Sequence, residues 1–228
     1  RRKTLPFSEA KDLMRGVLEG LSYLHSLGLN HNDLTPRNIL LEEVGRDTFA
    51  PRIIDLGHLC PSLGGAPPFP VNDLTLPYCA PEALTGIFEA EGDTFSAAAI
   101  FFSLITGKTP WPCELDESES FTQKKKIVRQ ARREPLDLEA LSGKDVPAEI
   151  IDLIAKGLEL DSEKRIGLPD LIRRLYGGDI SRTQGRETQQ AQASMERDMD
   201  PQAAATSANA EIKTGQGGGF RDVAGSER

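Results

Sequence analysis

Cysteine, tryptophan and positive charge are all scarce in this chain. Three cysteines occur in 228 residues, Cys60, Cys79 and Cys113, with no Cys-x-x-Cys pair and no histidine cluster near them. That usage argues against a disulfide scaffold or a zinc site and is expected to leave buried or free thiols, as in a reducing compartment. A bilayer-spanning helix needs roughly 18–20 consecutive apolar residues. The sequence has no such run, so no membrane association is expected. Lys and Arg total 27 against 35 Asp and Glu, a formal net charge of −8 with a pI near 5.0. Phosphate binding wants a basic face, so nucleic acid is not an expected partner. The basic start Arg1-Arg2-Lys3 runs into Pro6 and polar residues rather than the apolar core of a signal peptide. A cytoplasmic location is expected, and a nuclear one is compatible with the same features.

With 38% hydrophobic and 27% charged residues, the composition suits one soluble domain plus some unstructured length. Residues 8–27 carry Leu13, Met14, Val17, Leu18, Leu21 and Leu24 at helical spacing, with Ser8 as the expected cap and Gly28 as the stop. Short strands are expected over Asn38–Glu42 and Arg52–Ile54, separated by the polar turn Glu43–Asp47. Residues 58–74, rich in Pro and Gly, read as a loop. Asp93 to Ser96 opens a helix, Ala97 to Ile105, that is apolar on nearly all sides, hence a central core helix ending at Gly107. A further helix is expected over Pro147–Leu158. The acidic run Glu114–Glu119 and the basic run Lys124–Arg133 read as a solvated loop and a solvated helix face. From residue 179 onward apolar spacing disappears, so 179–228 is expected to be a flexible tail. The tail's cluster Gly215–Phe220 has no preceding strand and no following lysine, and is rejected as a nucleotide loop.

Chemistry concentrates in two places. His31-Asn32-Asp33-Leu34-Thr35-Pro36-Arg37-Asn38 puts a carboxylate, Asp33, and a carboxamide, Asn38, in a proline-stiffened loop before a strand. Such a loop can aim Asp33 at a substrate proton and leave Asn38 an oxygen for a cation. Ile53-Ile54-Asp55-Leu56-Gly57 places a second carboxylate, Asp55, where an apolar strand meets a glycine that can turn sharply. A carboxylate there suits Mg²⁺, which takes a few hard oxygens and fills its remaining positions from water and phosphate.

These segments, in this order, resemble the protein kinase family. Residues 31–38 resemble the catalytic loop His-Arg-Asp-x-x-x-x-Asn, and Asp55-Leu56-Gly57 resembles Asp-Phe-Gly. Thr75 to Glu82 resembles the end of a kinase activation segment, with Ala80-Pro81-Glu82 matching in full and Leu74 and Leu76 replacing glycine and proline. Asp93 to Ser96 and Thr106 to Trp111 resemble the ends of the central kinase helix, with Phe95 for tryptophan and Ala98 for glycine. Arg165 falls where the family's arginine pairs with the glutamate of Ala-Pro-Glu, here Glu82. Aminoglycoside-type phosphotransferases share the first loop and Asp55 but account for none of the later elements.

The resemblance implies an α+β, mainly α, protein-kinase-like fold: a helical C-lobe over residues 1–178 without the β-rich N-lobe, then the tail. It implies transfer of the ATP γ-phosphate to protein Ser or Thr hydroxyls, with Thr75 favouring that class over tyrosine. Asp33 would be catalytic, Asn38 and Asp55 would bind Mg²⁺ and the nucleotide, and His31, Thr35, Gly57, Thr75, Glu82 and Arg165 would shape the loops. Asn32 replaces the arginine that commonly binds an activation-loop phosphate, and Thr35 replaces a lysine that contacts the γ-phosphate. The chain also begins just before the first C-lobe helix, so the glycine-rich loop and strand lysine are not in it. On that ground the chain alone is expected to bind ATP poorly and transfer phosphate negligibly. The face an N-lobe would cover is expected to be open to a partner, and a non-catalytic interaction module is the alternative reading.

Overall fold

The computed structural model describes residues 4–46, 48–62, 69–70 and 74–177. The expected tail 179–228 with its glycine cluster, the basic start Arg1–Lys3 and parts of the 58–74 loop lie outside the described residues. Helix α1 spans Phe7–Ser26 and buries Ala10, Met14, Val17, Leu18 and Leu21. It begins one residue early, and Ser8 does not cap it. Pro6 takes that place with φ −54° and ψ 150°, and its carbonyl accepts the Ala10 N–H at 2.9 Å. Proline's preset φ delivers the chain into the helix without a side-chain cap. Gly28, at φ +71°, ends the helix as expected.

Four short strands follow in two antiparallel ladders, β1 (Leu29–Asn30) with β4 (Cys60–Pro61) and β2 (Ile39–Gly45) with β3 (Thr48–Ile53). The β2–β3 hairpin is longer than expected, pairing Ile39 with Ile53 and reaching Gly45 opposite Thr48. Its outer half, from Leu40 to Gly45, is exposed on every residue, so no burial alternation marks it in the sequence. The inner half lies on α1. A Cβ on Gly16 would come within 2.6 Å of the Pro51 ring, and one on Gly20 within 3.2 Å of Ile53. Two glycines one turn apart on α1 therefore let β3 sit close to the helix, and β3 leads directly into Asp55.

Helix α2 spans Ala90–Thr106, with every residue from Asp93 to Phe102 buried. It starts one turn before the expected Asp93, so Asp93 is a helical residue facing inward rather than the start of the helix. Helix α3 (Phe121–Ala131) opens on a capping box between Ser120 and Gln123. A single turn, α4 (Glu139–Ser142), is too short to leave a periodic signal. Helix α5 (Ala148–Gly157) lies where expected, and with α6 (Leu168–Tyr176) it closes the core against α1 and α2. A second, smaller apolar cluster, including Phe69, Leu74, Leu76, Leu84, Phe88 and Val128, sits beneath residues 74–88.

The basic face expected over Lys124–Arg133 needs a correction, because Arg132 is buried. Its Nη2 donates to the carbonyls of Cys79 at 2.6 Å and Leu76 at 3.4 Å, and its guanidinium lies 5.1 Å from the Phe95 ring centroid. Burial lowers its pKa below the ordinary arginine value. Two carbonyls and an aromatic face take up the charge that water would otherwise solvate.

Ala98, which replaces a glycine of the family pattern, is accommodated from the opposite side. A Cβ on Gly157 would lie only 2.6 Å from the Ala98 Cβ, so Ala98 fits because α5 carries a glycine opposite it. Gly157→Ala should therefore destabilise the fold by about 1–3 kcal/mol in urea denaturation. Adding Ala98→Gly should recover part of that loss; no recovery would refute the reciprocal fit.

Candidate active site

The loop 31–38 is held from below by one carboxylate. Asp93 is 1% exposed and accepts the backbone N–H of His31 at 2.7 Å on Oδ2 and that of Asn32 at 2.8 Å on Oδ1. His25 Nε2 reaches the same Oδ2 at 2.9 Å. Asn32 has φ +68°, a left-handed conformation that asparagine tolerates better than most residues. Its Nδ2 donates to the carbonyls of His58 and Asn30 and to Cys60 Sγ, tying the loop to β1 and β4. Leu34, fully buried, anchors the loop in the core. His31 is also fully buried: Nδ1 accepts the Asp33 N–H at 3.3 Å while Nε2 faces the Ile54 carbonyl at 3.4 Å. Both contacts are satisfied when the ring hydrogen sits on Nε2.

Asp33 leaves this scaffold with its carboxylate fixed at both oxygens. Oδ1 accepts the Thr75 N–H at 3.1 Å, and Oδ2 accepts Asn38 Nδ2 at 3.3 Å. Asn38 Nδ2 also donates to the Asp33 carbonyl at 2.8 Å, which orients the amide and directs Oδ1 away as its remaining acceptor. Thr35 is buried and its Oγ1 accepts the Arg37 N–H at 3.3 Å, capping the 3-10 turn Pro36–Asn38. The residue in the lysine position thus shapes the turn that carries Asn38.

Asp55 lies beside Asn38 by sheet register. Ile39 pairs with Ile53, and the Ile54 N–H donates to the Asn38 carbonyl at 2.9 Å, so both residues leave the same end of the hairpin. The sharp turn expected at Gly57 occurs instead at Asp55, whose φ is +62°. Gly57 serves a close approach: its N–H reaches Asp55 Oδ1 at 3.3 Å, where a Cβ would also stand 3.3 Å from that oxygen. Asp55 is exposed, and the hairpin beside it shows apolar side chains to solvent, Leu40, Leu41, Val44 and Phe49, with Ile54 and Leu56 flanking Asp55 itself. An oriented amide oxygen and an exposed carboxylate bonded to one backbone N–H are hard-oxygen donors of the kind that Mg²⁺ takes. Among the described residues no cluster of three His, Cys, Asp or Glu side chains could hold a metal without that amide.

A protein-family profile described as "Protein kinase domain" matches residues 1–176. The chain belongs to that family. It is 30% identical over 182 residues to the serine/threonine-protein kinase GIN4 of Saccharomyces cerevisiae, covering 75% of this chain and 14% of that protein. It is 35% identical over 121 residues to the putative cyclin-dependent kinase F-2 of Oryza sativa subsp. japonica, covering 51% of this chain and 36% of that protein. The crystal structure of the Rad53 kinase domain and SCD2 in complex with AMPPNP superposes with a TM-score of 0.57 at 20% identity, covering 78% of this chain and 63% of that one. The fold is thus a protein-kinase-like α+β fold, mainly helical. The chain spans well under half the length of these curated relatives. No helix among the described residues is long and apolar enough to cross a membrane.

Within this kinase fold, Glu82 and Arg165 form a bidentate pair: Nη1 to Oε1 at 2.5 Å and Nη2 to Oε2 at 3.0 Å. Arg165 also donates to the carbonyls of Glu159 and Glu91, both at 2.8 Å, and its guanidinium lies 5.1 Å from the Phe95 ring centroid. Phe95, in the tryptophan position, thus has both buried arginines against its ring, with Trp111 stacked at 6.2 Å. Asp93 and Arg132 hold the site in place, a role that the motifs assign to neither. The signals in the sequence are faint: an acidic residue at the head of a fully apolar helix, and an arginine one turn after Val128. Of the predicted site residues, the structure gathers His31, Asp33, Thr35, Asn38, Asp55, Gly57 and Thr75 at one end of the hairpin and places Glu82 and Arg165 behind them.

The Arg165 side chain is 0% exposed and that of Glu82 10%, so removing either partner strands a buried charge. Glu82→Ala should cost about 3–5 kcal/mol in denaturant unfolding. A loss below about 1 kcal/mol, the range of a surface pair, would contradict a buried tie.

Proposed function

We propose that this chain carries the phosphoryl-transfer centre of a protein serine/threonine kinase acting on protein hydroxyls with ATP. The observation that carries the reading is the fixed carboxylate of Asp33, bonded through one oxygen to the segment 74–79 and through the other to Asn38. In that setting Asp33 orients the acceptor hydroxyl and takes its proton as transfer proceeds. Asn38 Oδ1 and the Asp55 carboxylate would hold Mg²⁺, which when bound neutralises the phosphate charges. Positioning and charge neutralisation are nearly all the protein must supply for this reaction. Two relatives named as kinases, one explicitly serine/threonine, support the class, and AMPPNP in the Rad53 complex supports an adenine nucleotide.

A non-catalytic interaction module is the second reading, favoured by the exposed apolar set Leu40, Leu41, Val44, Phe49, Ile54 and Leu56 around the hairpin. Exposed apolar side chains in this number offer another protein surface places to dock. Thermal shift with ATP and Mg²⁺ separates the two. The catalytic reading expects stabilisation by nucleotide that depends on Mg²⁺ and disappears in Asp55→Asn, while Asp33→Asn keeps the shift. No shift in the unaltered protein would favour the interaction module.

Asn32 bears on regulation. Its amide is engaged by the carbonyls of Asn30 and His58 and by Cys60 Sγ, and it carries no charge with which to bind a phosphate. Phosphorylation within residues 58–75 is therefore not expected to gate activity. Phosphatase treatment of active full-length protein should leave its rate unchanged within about twofold, less than the effect of one charge-assisted contact; a large drop would sink this reading.

A further inference from the structure

Next to Asp33 lies a cavity of about 520 Å³ whose charge is opposite to that of the chain as a whole. Its floor is the segment 74–78 and its sides are the turn 35–37 and the start of α3. Two cations line it, Arg37 and Lys124, and no carboxylate among the described residues does. In a protein of net charge −8 such a lining is not the background composition. Apolar side chains, Leu76, Leu115 and Phe121, make up much of the remaining wall.

The two cations are not equally free. Arg37 is exposed and follows Thr35 and Pro36 in the capped turn, and its guanidinium has no carboxylate partner among the described residues. Lys124 is half-buried and donates to the Glu117 carbonyl at 3.4 Å. The nearby Asp116 carboxylate is already engaged by Ser118, whose Oγ and N–H donate to it at 2.7 and 2.8 Å. Arg37 is thus the group with unspent charge, and it projects from the same turn that carries Asn38. Segment 74–78 touches both places, since the Thr75 N–H bonds Asp33 while Leu76 and Tyr78 line the cavity.

We propose that this cavity selects a peptide segment bearing a carboxylate side chain close to the acceptor hydroxyl, with Arg37 as the main specificity determinant and Lys124 as its support. The proposal rests on the kinase reading for the identity of the acceptor and extends it to the substrate class: acidic, locally apolar peptide. A cationic wall attracts the carboxylate, the apolar wall buries a neighbouring side chain, and a basic peptide is repelled.

The test uses three fluorescent peptides of one sequence with a central serine and an apolar residue after it, carrying Glu, Gln or Lys at the flanking positions. Binding to the full chain is read by polarisation without nucleotide, and stabilisation by ATP with and without Mg²⁺ is read separately by thermal shift. The Glu peptide should bind roughly tenfold tighter than the Lys peptide, with Gln between them, and the ratio should shrink as salt is raised. Arg37→Glu, an exposed change that leaves the core untouched, should invert the order; Arg37→Lys should keep it; Lys124→Glu should narrow it. Equal binding of the three peptides, binding of none, or an order unchanged in Arg37→Glu overturns the proposal. Preference without any Mg²⁺-dependent stabilisation by ATP would leave the pocket standing and remove the kinase reading, whereas such stabilisation without preference would do the reverse.

Discussion

A single buried carboxylate, Asp93, sets the geometry on which the rest of the site depends. It belongs to the most buried helix of the core and accepts the consecutive N–H groups of His31 and Asn32, so the loop is bonded to the core through its backbone. Hydrogen bonds to a charged group are worth about 1.5–3 kcal/mol each, enough to offset the left-handed backbone that Asn32 must adopt for both N–H groups to converge. Asp33 follows immediately, and its position is therefore inherited from α2. A residue fixed in this way needs little reorganisation when a substrate arrives, which is the property electrostatic catalysis requires.

The segment 74–82 is tied to the same helix by a different chemistry. Arg165 holds Glu82 by a bidentate ion pair, Arg132 holds the carbonyls of Leu76 and Cys79, and both guanidinium groups lie against Phe95. Phe95 follows Asp93 by two residues, so the 31–38 loop and the segment facing it are referred to one turn of α2. Cys79 illustrates the consequence: burial pushes its thiol up to about 11, which leaves it protonated and inert at neutral pH. Its place is structural, between the arginine that holds the segment and the core beneath.

Much of this is legible in the sequence because it rests on local pattern. Apolar spacing marks the helices α1 and α5, an all-round apolar run marks α2, and ordered motifs mark Asp33, Asn38, Asp55, Glu82 and Arg165. The hairpin is only half legible, since Leu40 to Gly45 is exposed throughout and pairs through its backbone and one exposed side-chain ion pair, Glu42 with Arg52 at 2.7 Å. Arg132 escapes sequence reasoning because its run of lysines and arginines has the composition of a solvated face. Only the tertiary position of Leu76 and Cys79 turns that arginine inward. The turn at Asp55 falls two residues before the expected Gly57 for a related reason. Glycine is the usual sign of a left-handed residue, but here it serves a close approach to Asp55 Oδ1, and the carboxylate residue itself takes φ +62°. Ala98 departs from the family pattern in sequence, yet Gly157, far away along the chain, supplies the missing space.

The two carboxylates of the site are held very differently, and the difference has a functional meaning. Asp33 is 8% exposed and bonded at both oxygens, whereas Asp55 is exposed, with the Gly57 N–H at 3.3 Å on one oxygen. The acceptor side of the proposed reaction is thus organised before any ligand binds. On the cation side, Asn38 is oriented in advance by Asp33, and Asp55 completes the set from a backbone fixed by β3 but a side chain that is not. Under the proposed function the less constrained carboxylate is Asp55, and a bound cation with its phosphates would supply the charge needed to order it. Such a division would couple ligand binding to Asp55 while Asp33 keeps its bonds to Thr75 and Asn38.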